Sequence, residues 1–414
     1  MAKTHQMAAG PVPGGRSAAD SSRARGIVAA LAVTQTVGYG TLYYAFAVFL
    51  TPIAADLHTS TAAVTGTFTV SILISAVLAV PVGRWLDHRG GRALMTAGSL
   101  LGAVMLVAWS QVHTLWQLYL VQAGIGVAAA ASLYEAAFAV VIAWHSPRRR
   151  PNALLALTVV AGFASTVFLP LTGRLVDDHG WRTALLVLAA IQGLLTVPLH
   201  ALVLRAPPRA STRTEHQRSH PPIPLRTVLG DRGFWLLGIS FTAHTAAIAV
   251  VTVHLVAALI AWGHPATFAA TVAGLFGVLS VTGRLATTGL QRRYRTTTVV
   301  AAIFVIQGIA AALLPIAGHH RAGATIAVIG FGLGFGVASI AKPHLLAQRY
   351  DTRRYATIAG MMVVPITIAK AAAPLAAAGL HAGNGGYTGV FIATAITCVV
   401  AAAALAATPA PRPR

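Results

Sequence analysis

Acidic side chains are almost missing from this chain: nine Asp and Glu stand among 414 residues. Charged residues of both signs amount to 9%, against roughly 25% in an ordinary soluble domain. A water-exposed surface cannot be built from so little charge, so lipid is the expected solvent. The single cysteine, Cys398, excludes a disulfide framework and a thiolate metal centre. None of the 16 His residues is spaced from another as metal ligands are, and no metal or cofactor is expected. The alternating glycines of Gly330–Gly336 are followed by no Lys-Ser/Thr and lie inside an apolar run, which excludes a phosphate loop. With no nucleotide-binding or hydrolase motif elsewhere, the chain is not expected to be an enzyme, and any transport would be driven by a gradient.

What is present is apolar: 56% hydrophobic residues and a mean hydropathy of +0.71. Each spanning helix needs about 20 mostly apolar residues. Such runs lie at 27–54, 63–86, 93–111, 115–143, 152–176, 183–204, 233–260, 266–290, 297–317, 322–346, 355–380 and 386–407. They predict an all-α membrane protein of twelve transmembrane helices, since lipid leaves no other way to satisfy the backbone. The polar stretch 205–232 divides them into bundles of six, 27–204 and 233–407, with a disordered tail at 1–26 and a short tail at 408–414.

Placing both termini in the cytosol puts three basic residues on the outer side, Arg174, Arg182 and Arg321, and three inside spans, Arg284, Lys342 and Lys370. All the others among the 30 Lys and Arg then fall on the cytosolic side, as the positive-inside rule requires. The formal charge of +21 reflects this scatter over short loops, so nucleic acid is not an expected partner.

A ten-residue pattern occurs twice, ninety residues apart: GRWLDHRGGR at 83–92 and GRLVDDHGWR at 173–182. Both fit G-R-x-x-D-x-x-G-x-R and both follow an apolar run. The topology sets them on opposite sides of the bilayer, which is what a 3+3 inverted repeat of helices produces.

The twelve spans, the central basic loop and the segment Gly83 to Arg92 resemble the major facilitator superfamily, whose loop motif is G-x-L-x-D-R-x-G-R-R. Gly83, Asp87, Gly90 and Arg92 match it; Trp85, His88 and Gly91 depart. The resemblance implies a gate on the cytosolic side. There Gly83 allows close helix approach, and Asp87 accepts hydrogen bonds from a neighbouring helix N-terminus and pairs with Arg. The corresponding stretch in the second half, Gly289 to Arg295, has Arg292 where the acid would stand.

Ionisable residues inside spans are costly and read as functional by default. Arg284 lies eight residues before Arg292, about 12 Å of helix, which puts it near mid-membrane. Lys370 is also near mid-depth, whereas Lys342 lies close enough to the inner end of its run to reach the interface. Glu135 is the only acid within a span; burial raises a carboxyl pKa and would let it carry a proton, or it is a structural pairing group. Tyr39 and Tyr43 share a helical face and offer hydroxyls, or simply pack. Thr282-Gly283-Arg284-Leu285 and Ala369-Lys370 are similar to segments of bacterial monocarboxylate-transporter relatives and oxalate/formate antiporters. That likeness implies Arg284 and Lys370 as carboxylate-binding residues.

The expectation is a multi-pass transporter of a bacterial cytoplasmic membrane, acting as a monomer. It would carry small organic anions, monocarboxylates first, with proton symport through Glu135 and exchange as a variant. The competing expectation is an exporter of drugs or metabolites, in which Glu135 faces a hydrophobic cation.

Overall fold

The computed structural model describes residues 18–205, 224–350, 352–384 and 386–410. The expected tail 1–26 is described only from Ala18, where helix already begins, and most of the 205–232 linker lies outside the described residues. Every regular element among the described residues is helical.

In chain order, α1 (Ala18–Tyr39) runs through a widened turn at Gly40–Tyr44 into α2 (Ala45–Asp56). There follow α3 (Thr61–Arg89), α4 (Arg92–Ser110), α5 (Leu115–Ser132), α6 (Tyr134–Trp144), α7 (Arg150–Ala161) and α8 (Ala164–Ile191). The second half holds the short α9 (Leu225–Leu229), α10 (Arg232–Ala261), α11 (Ala266–Leu290), α12 (Thr296–Ala317), α13 (Arg321–Gly332) and α14 (Ala338–Arg349). It ends with α15 (Tyr355–Asn384) and α16 (Tyr387–Ala406). Local sequence sets several starts. Ser60 caps α3 by accepting from the Ala63 N–H at 3.1 Å. Thr114 and Gln117 form a capping box for α5.

Among the described residues, ten helical stretches are long and apolar enough to cross a membrane. The difference from the twelve expected runs has two physical sources. Arg150–Val203 is one stretch of 54 residues, about 80 Å of helix against a hydrocarbon core of about 30 Å. Gly180 interrupts it at φ 76°, ψ 162°. The run 322–346 is split between α13 and α14, so neither piece alone has the length.

Gly90, at the same place in the first copy of the repeated motif, has φ 76°, ψ 179°. The two copies therefore make the same turn, one that glycine adopts without steric cost.

Packing divides the molecule. One apolar cluster lies within residues 37–189 around Phe49 and Trp109. A second lies within 247–398 around Phe331 and Phe391. The third joins the halves, bringing Leu86, Phe138 and Leu154 together with Phe234, Ala356 and Leu405. These last residues adjoin the basic loops, so the two halves are sealed against each other at the basic-loop end.

Candidate transport site

Two helices are broken at corresponding places in the two halves. After α5, Leu133 is extended (φ −87°, ψ −161°), and α6 restarts with Glu135 in its first turn. The carbonyl freed at Ser132 accepts from Gln35 Nε2 at 2.9 Å. Between α13 and α14, the Phe331 carbonyl accepts from Gln307 Nε2 at 2.9 Å. The Gly336 carbonyl accepts from Arg284 Nε at 3.2 Å and from the Ser339 hydroxyl at 2.7 Å. Broken helices at membrane depth are tolerated where protein covers the backbone or where it lines a cavity.

Here they border a cavity of about 400 Å³ built by both halves. Tyr39, Tyr43, Phe68, Tyr134 and Glu135 line it from the first half; Phe241, Ser339, Lys342, Thr367 and Lys370 line it from the second. Four expected site residues are thus brought together: Tyr39, Tyr43, Glu135 and Lys370.

Lys342 joins them, and its position differs from the interface-reaching one expected. Its Nζ donates to Glu135 Oε1 at 2.6 Å, across the two halves. The residue is 9% exposed. The Oε2 of Glu135 is buried without a partner among the described residues. The positive end of α6 also favours the carboxylate there. The signal was present in the sequence as the only acid within a span, which needs a cation; sequence alone left the choice among cations open.

Lys370 is differently placed. Its Nζ donates to the Tyr43 hydroxyl at 3.0 Å and lies 5.2 Å from that ring's centroid, again across the halves. Among the described residues no carboxylate pairs with it.

Arg284 does not line the cavity. It sits between the halves, with Nη1 donating to the Thr158 carbonyl at 3.1 Å and Nε to Gly336. Its Nη2 makes no hydrogen bond among the described residues. A Cβ on Gly336 would meet the guanidinium at 2.5 Å, so that glycine gives the arginine its room.

At the basic-loop end, Asp87 caps α15 from the opposite half. Ala356 N–H donates to Oδ1 at 2.9 Å and Thr357 N–H to Oδ2 at 2.8 Å, with the Thr357 hydroxyl added. Both oxygens accept from the helix N-terminus, and among the described residues no arginine pairs with Asp87. Arg92 is exposed and without a partner among the described residues. Gly83 lies against α15: a Cβ there would collide with the Ala356 carbonyl, and one on Gly360 with that of Ala79. In the second copy of the motif, Asp177 is exposed and Arg182 pairs with Asp56 at 2.9 Å.

Nearby, Arg349 Nε and Nη2 donate to the two oxygens of Asp231 at 2.6 and 2.8 Å, and the Tyr350 hydroxyl donates at 2.6 Å. These hydrogen bonds, Arg349's first, hold the Asp231 carboxyl well below the usual carboxylate range.

Residues 32–374 match the Major Facilitator Superfamily, and the chain belongs to it. With the apolar helices described above, that membership indicates a multi-pass membrane protein. An MFS-type efflux pump of Mycolicibacterium smegmatis is 33% identical over 184 residues, 44% of this chain and 42% of the pump. Monocarboxylate transporter 4 of Rattus norvegicus is 25% identical over 322 residues, 74% of this chain and 66% of that protein. The chain thus spans less than half the length of the first of these relatives. Among solved structures, a bacterial homologue of the iron transporter ferroportin in an outward-facing state superposes with a TM-score of 0.73 at 15% identity, covering 92% of this chain and 98% of that one. That likeness shows the shared fold.

Proposed function

We propose that the protein is a secondary active transporter of small organic anions, monocarboxylates first, working by alternating access and coupled to protons. The observation that carries this reading is the charge in the cavity: Glu135 is taken by Lys342, which leaves Lys370 bonded to a phenol and, among the described residues, to no carboxylate. An uncompensated ammonium at mid-membrane is costly, and a carboxylate would relieve it.

In this reading the carboxylate meets Lys370 and Tyr43 first, with Tyr39 on the same wall. Arg284, holding free donors on Nη2, closes on it as the halves rock. A proton on Glu135 releases Lys342, adding a second cation to the site. Twelve crossings follow if Arg150–Val203 turns back at Gly180 and α13 and α14 cross as one. The matching turns at Gly90 and Gly180 support inverted repeats. The basic-loop end would face the cytosol of a bacterial cell with both termini there, and the closed contact of Asp87 and Gly83 with α15 would then be the inner gate of an outward-facing state.

A cation-exporting reading has its own support. Seven aromatic rings line the cavity, Tyr39, Tyr43, Tyr44, Phe68, Tyr134, Phe138 and Phe241, and rings bind cations. A thermal-shift screen separates the two. Small monocarboxylates should stabilise the purified protein and lipophilic cations should not; the reverse pattern removes the anion reading.

A further inference from the structure

A second cavity, of about 570 Å³, opens at the basic-loop end, away from the transport site. Residues 147–148 and 151–152 of the first half line it, together with 291–292, 294–297, the end of α14, and Thr408 and Pro409 from the second half. Among the described residues that line it, none is acidic. The side chains of Arg148, Arg292 and Arg295 have no ion-pair or hydrogen-bond partner among the described residues; Arg349, on the same wall, is held by Asp231.

Several buried polar groups of this cavity lack partners among the described residues. Thr288 and His344, each 4% exposed, line it. Thr288 Oγ1, Gln291 Nε2 and His344 Nδ1 are all buried and lack partners among the described residues. Gln348 Nε2 lies 2.8 Å from His344 Nε2. The amide donates, so Nδ1 carries the ring proton and is a donor as well. Three orphaned groups able to donate therefore stand beside three unpaired guanidinium groups. Unmade hydrogen bonds on buried groups cost free energy, and all of these would be satisfied by oxyanion oxygens. The N-terminal end of α12, at Thr296, adds its positive dipole on the same side.

We infer that this cavity is a binding site for a phosphate-bearing anion, gripped by Arg148 from one half and by Arg292 and Arg295 from the other. Guanidinium forks match phosphate oxygens, and basic pockets between membrane helices take anionic headgroups. A ligand there would tie the halves together at the end already closed by Asp87, and so favour the closed-end state. The site does not depend on which substrate the central cavity carries.

The test uses the full chain in nanodiscs of phosphatidylcholine. One arm titrates inorganic pyrophosphate; the other replaces part of the lipid with phosphatidylglycerol. Thermal unfolding is read for the parent, for Arg148→Gln and for Arg292→Gln/Arg295→Gln. Exposed arginines without partners can be replaced with little effect on folding, and each variant's own unfolding without ligand gives its baseline. The expected result is a rise in midpoint of about 3 °C or more for the parent, lost by at least half in both variants. A rise with pyrophosphate alone assigns the site to a free phosphate compound, with phosphatidylglycerol alone to a lipid headgroup, and with both to the shared phosphate chemistry. No rise in either arm, or the same rise in the variants as in the parent, overturns the proposal.

Discussion

Glu135 and Lys342 meet at 2.6 Å across the two halves of the molecule, each just beyond a break in its own helix. Paired breaks at matching positions are the backbone feature that points most directly to a transport site in repeat-built carriers. The pair closes the wall of the central cavity, and it is the contact through which a proton could change both the charge and the shape of the site.

Glu135→Gln mimics the protonated acid. It should keep substrate binding and exchange but lose accumulation driven by a pH gradient. Uptake into liposomes with and without an imposed gradient reads this. A variant that still concentrates substrate as well as the parent would make Glu135 structural.

Lys342→Met leaves the carboxylate unpaired. Breaking one side of a buried pair costs about 3–5 kcal/mol, and less here because a third of the Glu135 side chain is exposed. The double variant Glu135→Gln/Lys342→Met removes both charges and should recover most of the lost thermal stability. Additive losses in the two single variants and the double would show that the pair does not interact.

Asp87→Asn keeps one acceptor and turns the other oxygen into a donor facing the Thr357 N–H. Losing one charge-assisted bond and weakening the others should shift the equilibrium by about 2 kcal/mol, roughly thirtyfold, toward opening at the basic-loop end. Labelling of a cysteine introduced at Ala79, in a Cys398→Ser background, should accelerate. An unchanged rate would leave Asp87 without a gating role.

The reach of the sequence was uneven for physical reasons. Apolar runs are set by the thickness of lipid, so nearly every helix was legible, and so was the repeated motif; the turn that Gly90 and Gly180 share came only with the backbone. The partners of charges were not. Glu135 could have met any of three cations, and the choice of Lys342 depends on the break at Leu133 and on how the halves pack. Arg284 read as a substrate group at the right depth, yet the opening of α13 into α14 frees the Gly336 carbonyl to hold it. Asp87 read as a cap, and it is one, held by the Ala356 and Thr357 N–H groups; among the described residues no arginine joins it.

Asp231 gives a pH dependence of definite sign. Its folded pKa is depressed, chiefly by Arg349. Its contribution to stability is therefore complete above the unfolded value, about 3.9, and is lost as pH falls from there toward the folded value. The parent's unfolding midpoint should drop more steeply below about pH 4 than that of Asp231→Asn, which has no carboxylate to protonate. Parallel curves would mean that the Arg349 pair adds nothing to the folded state.

The central claim is that the unpaired ammonium of Lys370 makes the cavity a carboxylate site. Proteoliposomes containing the parent or Lys370→Ala, tested with a panel of radiolabelled monocarboxylates under a pH gradient, address it directly. The account requires that the parent accumulate at least one of them, that collapsing the gradient abolish the accumulation, and that Lys370→Ala fold normally yet fail to transport. Undiminished uptake by Lys370→Ala would contradict it, as would a parent that moves lipophilic cations and none of the carboxylates.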